Sequence, residues 1–151
     1  MGIKEEIAAF DLKLDTAIDE IMTGQMTETA KDYIAIAVET EVYDKYPNPI
    51  IYERKKGKGG LSDKNNMDST YEKATHTLEV FDTRKDGTRD VVKIVETGVG
   101  YEFKPGPGSE SNGAYLKPRP FHSVAEENLE RDNALETILE IGLSIKGFDV
   151  K

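Results

Sequence analysis

The residues of this 151-residue chain able to do acid–base or metal chemistry are two histidines and 29 carboxylates, and their spacing organises no recognisable centre. A zinc site wants imidazoles at His-x-x-x-His spacing, or a carboxylate in fixed helical register with them. His76 and His122 offer neither. There is no cysteine, which excludes thiol nucleophiles, thiolate metal sites and disulfides, and no Gly-x-Ser-x-Gly elbow that would present a serine. Among so many acids some pair must lie close by chance, so a glycosidase dyad stays open without positive support. Asp63, Asn65, Asn66 and Asp68 supply oxygen atoms, but lack the Asp-x-Asp-x-Asp-Gly order and terminal glutamate of an EF-hand. An asparagine-rich turn is the better reading. The expectation is a protein that is not an enzyme and holds no metal or cofactor.

Charge leaves one other chemical opening. The formal net charge is −9, which disfavours general nucleic-acid binding, where basic faces must displace counterions. Arg54, Lys55, Lys56 and Lys58 reverse that balance locally, within the glycine-rich run Gly57, Gly59 and Gly60. A phosphate-cradling loop would need Gly-Lys-Ser/Thr at its end, and Leu61 follows Gly60, so that spacing fails. Two readings remain: contact with DNA or an acidic partner, and a mobile surface loop.

The elements that carry these residues follow from periodicity. Ile3, Ile7, Phe10, Leu14, Ala17 and Ile21 recur at intervals of 4, 3, 4, 3 and 4, one stripe of an amphipathic helix. Gly24 is expected to end or bend it, and Thr27 to start a second helical stretch toward Tyr43, within a helical region 3–46. Core packing within one subunit and contact with a neighbouring copy both account for the stripe. Pro47 and Pro49 close the region, Ile50-Ile51-Tyr52 suits a short strand, and the basic loop occupies 54–66. Leu78 and Val80 alternate with Thr77 and Glu79, and Asp86-Gly87 signals a tight turn, so a β-hairpin is expected over 75–97. Its second strand would be the β-branched run from Asp90 to Thr97. A long loop, 98–118, contains Pro105-Gly106-Pro107-Gly108 and precedes a C-terminal helix, 123–142, opened by the capping box Ser123-x-x-Glu126. Val124, Leu129, Leu135, Ile138, Leu139 and Leu143 form its apolar side. These elements make a single α+β domain over 1–151, a small antiparallel sheet packed against long N- and C-terminal helices. No apolar run approaches the ~20 residues that span a bilayer, and Glu5, Glu6 and Asp11 interrupt the start too early for a signal peptide.

The most distinctive spelling is Val95-Glu96-Thr97-Gly98, answered by Arg119-Pro120-Phe121. Gly98 allows a backbone turn, Pro118 and Pro120 hold the return extended, and Phe121 is placed to anchor a helix end, with Arg119 within reach of Glu96. This pattern, with Tyr52-Glu53-Arg54, Gly59-Gly60-Leu61 and Asn65-Asn66, resembles the phage tail-component family, across roughly Ile3 to Leu143. Members of that family are tail-completion or head–tail joining proteins of long-tailed phages. The resemblance implies a structural virion protein of the neck, made in the host cytoplasm. It would form a homo-oligomeric ring, sixfold or twelvefold, between a head-closure or adaptor protein and the tail tube or terminator. DNA would pass through without sequence-specific binding, and no membrane would be involved. A tail terminator or minor tail component is the nearest alternative, and a small nucleic-acid-binding regulatory module is an alternative of another class. Under the neck reading Arg54, Lys55, Lys56, Lys58, Tyr101, Phe103, Tyr115 and Leu116 are the expected partner contacts, while Glu96, Gly98, Arg119, Pro120 and Phe121 form a structural motif.

Overall fold

A computed structural model describes residues 2–45, 55–100 and 117–151. The fold is α+β, with a long helical rod and two C-terminal helices enclosing a small antiparallel hairpin. The rod consists of α1 (Ile3–Ile21), a π-helical turn (Met22–Met26), α2 (Thr27–Val38) and a second π turn (Glu39–Tyr43). Gly24 does not end the helix, and Thr27 is not a cap. Both residues flanking the first π turn, Ile21 and Thr27, keep right-handed helical angles. A π turn leaves a carbonyl without its usual partner; the Thr27 hydroxyl donates to the Met22 carbonyl at 2.8 Å and satisfies it. Gly24 is exposed, so its backbone freedom costs only the usual propensity penalty of about 1 kcal/mol. Met22, Met26 and Thr27, buried around it, offset that cost.

The strand pairing differs from expectation. Strand β1 (Met67–Glu72) pairs with β2 (Thr77–Asp82) in the register Met67↔Asp82 to Glu72↔Thr77. The tight turn at Asp86-Gly87 joins only the two-residue strands β3 (Lys85–Asp86) and β4 (Arg89–Asp90). The expected second strand is instead a helix, α3 (Val91–Thr97). Its ends explain why: the Asp90 carboxylate accepts from the Lys93 amide at 3.0 Å, and Gly98 closes the helix in the left-handed region at φ 69°. Two caps override the β propensity of Val91, Val92, Ile94 and Val95. The alternation of β2 holds, with Leu78 and Val80 turned inward and Thr77 and Glu79 exposed.

The C-terminal helix is two helices, α4 (Phe121–Arg131) and α5 (Ala134–Ile145). Asn133 breaks them at φ 48°, a left-handed angle that asparagine tolerates better than most residues. Because α4 begins at Phe121 with Pro120 before it, Ser123 and Glu126 lie inside the first turns and form no capping box. The Tyr33 hydroxyl donates to Asp132 at 2.9 Å and ties this corner to α2.

Two apolar cores result. One gathers Ile34, Ala37, Val38, Val42, Tyr43, Leu61, Met67, Val95, Phe121 and Ala125. The other sets Ile21, Met22 and Met26 against Tyr71, Leu78 and the Leu135, Ile138, Leu139 and Leu143 face of α5. In the second, α1 and α5 approach closely because Gly142 has no side chain. A Cβ there would lie 2.8 Å from both Cγ1 and Cδ1 of Ile21. At the inner end of β2, Asp82 is buried, with one carboxylate oxygen accepting from the Arg84 amide at 3.0 Å. The other oxygen has no hydrogen-bond partner among the described residues. Burial pushes its pKa up to about 6, outweighing the Arg84 amide and charge that pull it down.

Two outcomes follow for stability. Gly142→Ala should destabilise by about 1–3 kcal/mol, the usual cost of overpacking, seen as a lower melting midpoint with the helical circular dichroism retained. Asp82 binds its proton more tightly folded than unfolded, so its contribution falls as pH rises from about 4 through about 6 and stays low above. Asp82→Asn should remove that slope and gain on the order of 2 kcal/mol relative to the parent at pH 7, measured by denaturant melts across this range.

Candidate interaction surfaces

The motif Glu96, Gly98, Arg119, Pro120 and Phe121 closes into one unit around the buried Arg119 and Phe121. The Arg119 amide donates to the Val95 carbonyl at 3.0 Å, and the Phe121 amide to the Arg119 carbonyl at 2.8 Å, around Pro120 at φ −78°, ψ 68°. Phe121 is fully buried and Arg119 nearly so. The Glu96 carboxylate is held by His122: one oxygen accepts from the His122 amide at 2.9 Å and lies 2.8 Å from its Nδ1. Sequence reasoning paired Glu96 with Arg119 and passed over His122, although His122 directly follows the Pro-Phe turn. The clamp fixes residues 95–98 beside 119–122. It locks α3 to α4.

The lysine-bearing turn is built to be held. Gly59 donates to Asp63 at 2.6 Å, the Leu61 amide to the Tyr43 hydroxyl at 3.0 Å, and Ser62 to Glu39 at 2.7 Å. Asn66 donates its side-chain amide to the Gly60 carbonyl at 2.8 Å. Gly60 is packed so tightly that a Cβ would fall 2.2 Å from the Lys56 carbonyl oxygen and 2.8 Å from the Tyr43 hydroxyl. Lys64 then bonds Glu28 and Asp32 on α2, at 3.1 and 2.8 Å, which raises its pKa. Residues 55–66 of the loop expected over 54–66 form a hydrogen-bonded turn and a single 3₁₀ turn (Lys64–Asn66). Lys55, Lys56 and Lys58 project from it exposed, with no ion pair among the described residues. Arg54, Tyr101, Phe103, Tyr115 and Leu116 lie outside the described residues, as does the short strand expected at 50–52.

A third surface lies on the first stripe, for which core packing and contact with a neighbouring copy were both open. Only its lower half is covered. Ala17 and Ile21 are buried, while Ile3, Ile7 and Phe10 lie open on the part of α1 beyond α5. Phe10 meets the edge of Phe148 at 5.8 Å between ring centroids, and Lys13 sits over that ring.

No His, Asp and Glu grouping among the described residues could hold a metal ion, and no described helix is long and apolar enough to cross a membrane. A polar cluster of Asp19 with Tyr71, Lys73 and His76 is a tether. Tyr71 donates to Asp19 at 2.7 Å and Lys73 bonds it at 2.6 Å, pinning the hairpin tip to α1. The Lys73 contact, then that of Tyr71, lowers the Asp19 pKa, and burial pushes Tyr71 up to about 12. Of these sites the clamp is the most sensitive to truncation. Phe121→Ala should cost about 3–5 kcal/mol, the range for emptying a buried aromatic site. Thermal melts measure it, and an unchanged midpoint would place the ring outside the core.

No solved structure matches this chain. Over 122 residues it is 32% identical to the SPbeta prophage-derived uncharacterized protein YomN of Bacillus subtilis (strain 168), covering 81% of this chain and 76% of that one. The family model YomN matches residues 7–144, from the open stripe of α1 through the clamp to the end of the α5 seam. The chain belongs to the YomN family.

Proposed function

We propose that this protein is a structural virion component of a phage neck, a tail-completion or head–tail connector subunit that assembles as a ring and joins the capsid connector to the tail. The observation that carries the reading is the Glu96-x-Gly98 and Arg119-Pro120-Phe121 pair, which resembles the tail-component pattern and meets in one clamp. Kinship with a prophage-derived protein supports it. So does a surface with an open apolar stripe on a rigid rod and a fixed basic turn, features suited to contacts between subunits. The ring, sixfold or twelvefold, sits between a head-closure or adaptor protein and the tail tube or terminator. DNA passes through its channel, where a net charge of −9 keeps the phosphate backbone from adhering.

A second reading draws on Lys55, Lys56 and Lys58, which offer phosphates an unopposed basic edge: a small regulatory module that binds nucleic acid. Disrupting the gene in its phage separates the two. A neck subunit leaves full heads and free tails that fail to join, visible by electron microscopy, and the purified protein shows no salt-dependent affinity for duplex DNA. Joined, infectious particles at normal titre would overturn the neck role.

A further inference from the structure

We propose that the Asp82 carboxyl is a proton-operated latch: protonated, it holds the lysine-bearing turn and α3 on the end of the hairpin, and ionised, it lets them open. The latch is independent of the neck reading. Asp82 ends β2 opposite Met67 and is only 8% exposed. The two residues after it reach different parts of the fold. Thr83 donates its amide and its hydroxyl to the Asn66 carbonyl, at 2.6 and 2.8 Å. Asn66 in turn donates its side-chain amide to the Gly60 carbonyl, inside the lysine-bearing turn. Arg84 accepts at its carbonyl from the Val91 amide, 3.2 Å away, where α3 begins. One Asp82 oxygen, Oδ1, accepts from the Arg84 amide and fixes the backbone from which both connections leave.

The other oxygen, Oδ2, is buried without a hydrogen-bond partner among the described residues. A neutral acid tolerates that place far better than a carboxylate does. Ionised, the group recovers hydration only by turning outward, which gives up the Arg84 amide and pulls on Thr83. Nearby charges nearly offset each other: Arg84 draws the carboxyl toward ionisation, and Asp90, at the cap of α3, opposes it. Met67 across the ladder and Asn66 beside it carry no charge. The turn at the far end of the connection is itself under tension. Lys56 holds φ 48°, a left-handed angle that a lysine keeps only when its surroundings impose it. One restraint is the Gly60 amide, 2.8 Å from the Lys56 carbonyl, and Gly60 is the residue that Asn66 grips. Burial holds the closed-state pKa at about 6, against the ordinary 3.8, so the closed state binds the proton more tightly. Raising pH from about 4 through about 6 therefore favours opening, and acidification reverses it.

Amide hydrogen exchange on the full chain, corrected for intrinsic rates and run at about pH 5 and about pH 7.5, tests the latch. Amides in 59–66 and 83–91 should be less protected than Ile34 and Val38 of the rod, and should open together. Their opening equilibrium should rise about tenfold at the higher pH, and Asp82→Asn should remove that rise. Protection in these segments equal to that of the rod would show that Asp82 is released only when the whole fold unfolds, and the latch fails. Lower protection that ignores pH, or a rise that survives in Asp82→Asn, overturns it as well. Should Asp82→Asn not fold, the parent decides alone through a carboxyl-carbon NMR titration of Asp82. A midpoint near 6 that coincides with the change in exchange supports the latch, and a midpoint near 3.8 overturns it.

Discussion

The fold depends on one rod keeping a single seam turned inward along its length. Along the seam the buried positions Ala17, Ile21, Met26, Ala30, Ile34, Val38 and Val42 are separated by 4, 5, 4, 4, 4 and 4 residues, with Met22, Thr27, Ala37 and Tyr43 buried beside them. A regular helix keeps a face with intervals that alternate between three and four, so runs of four and five would spiral the seam away from its partners. Each π turn closes its hydrogen bonds one residue later, and this returns the seam to the inside. With the seam straight, α4 and α5 can lie along one rod, each with its own core, and the hairpin can bridge them through Tyr71, Leu78 and Met67.

Polar contacts then select which way the smaller pieces point. The hairpin tip is pinned at Asp19, the 3₁₀ turn at Glu28 and Asp32, the helix corner at Tyr33, and the lysine turn at Glu39 and Tyr43. All of these anchors lie on the rod. Half of these bonds are exposed and contribute little alone, and their value lies in fixing orientation over an apolar contact already made.

Legibility in the sequence followed the strength of local signals. The first helix, the alternation in β2 and the Asp86-Gly87 turn were readable because periodicity and turn chemistry are local. The run 91–95 was misread because β-branched residues at successive positions satisfy a strand pattern, while the deciding evidence sat in its neighbours Asp90 and Gly98. The continuity of the rod was not readable from Gly24, since a π turn depends on which residues face the core on either side. The break at Asn133 was missed for a related reason, as the apolar pattern runs through it and only a left-handed angle ends the helix. The clamp was legible as a pair of short motifs, but its hydrogen bonds needed His122, which carries no signature of its own. The open stripe needed tertiary information, because periodicity reveals a face without revealing what covers it.

The two π turns also bear on how this chain can change length. Each accommodates one residue more than regular helical winding requires, with the surplus turned toward solvent at Thr23, Gly24 and Gln25 in the first. Losing one residue there would tighten the turn to ordinary winding while leaving Ile21 and Ala30 facing the same neighbours. Insertions and deletions, normally confined to loops, thus have a place to be absorbed inside the longest regular element. Among relatives of this fold, gaps of a single residue within the rod are compatible with an unaltered core.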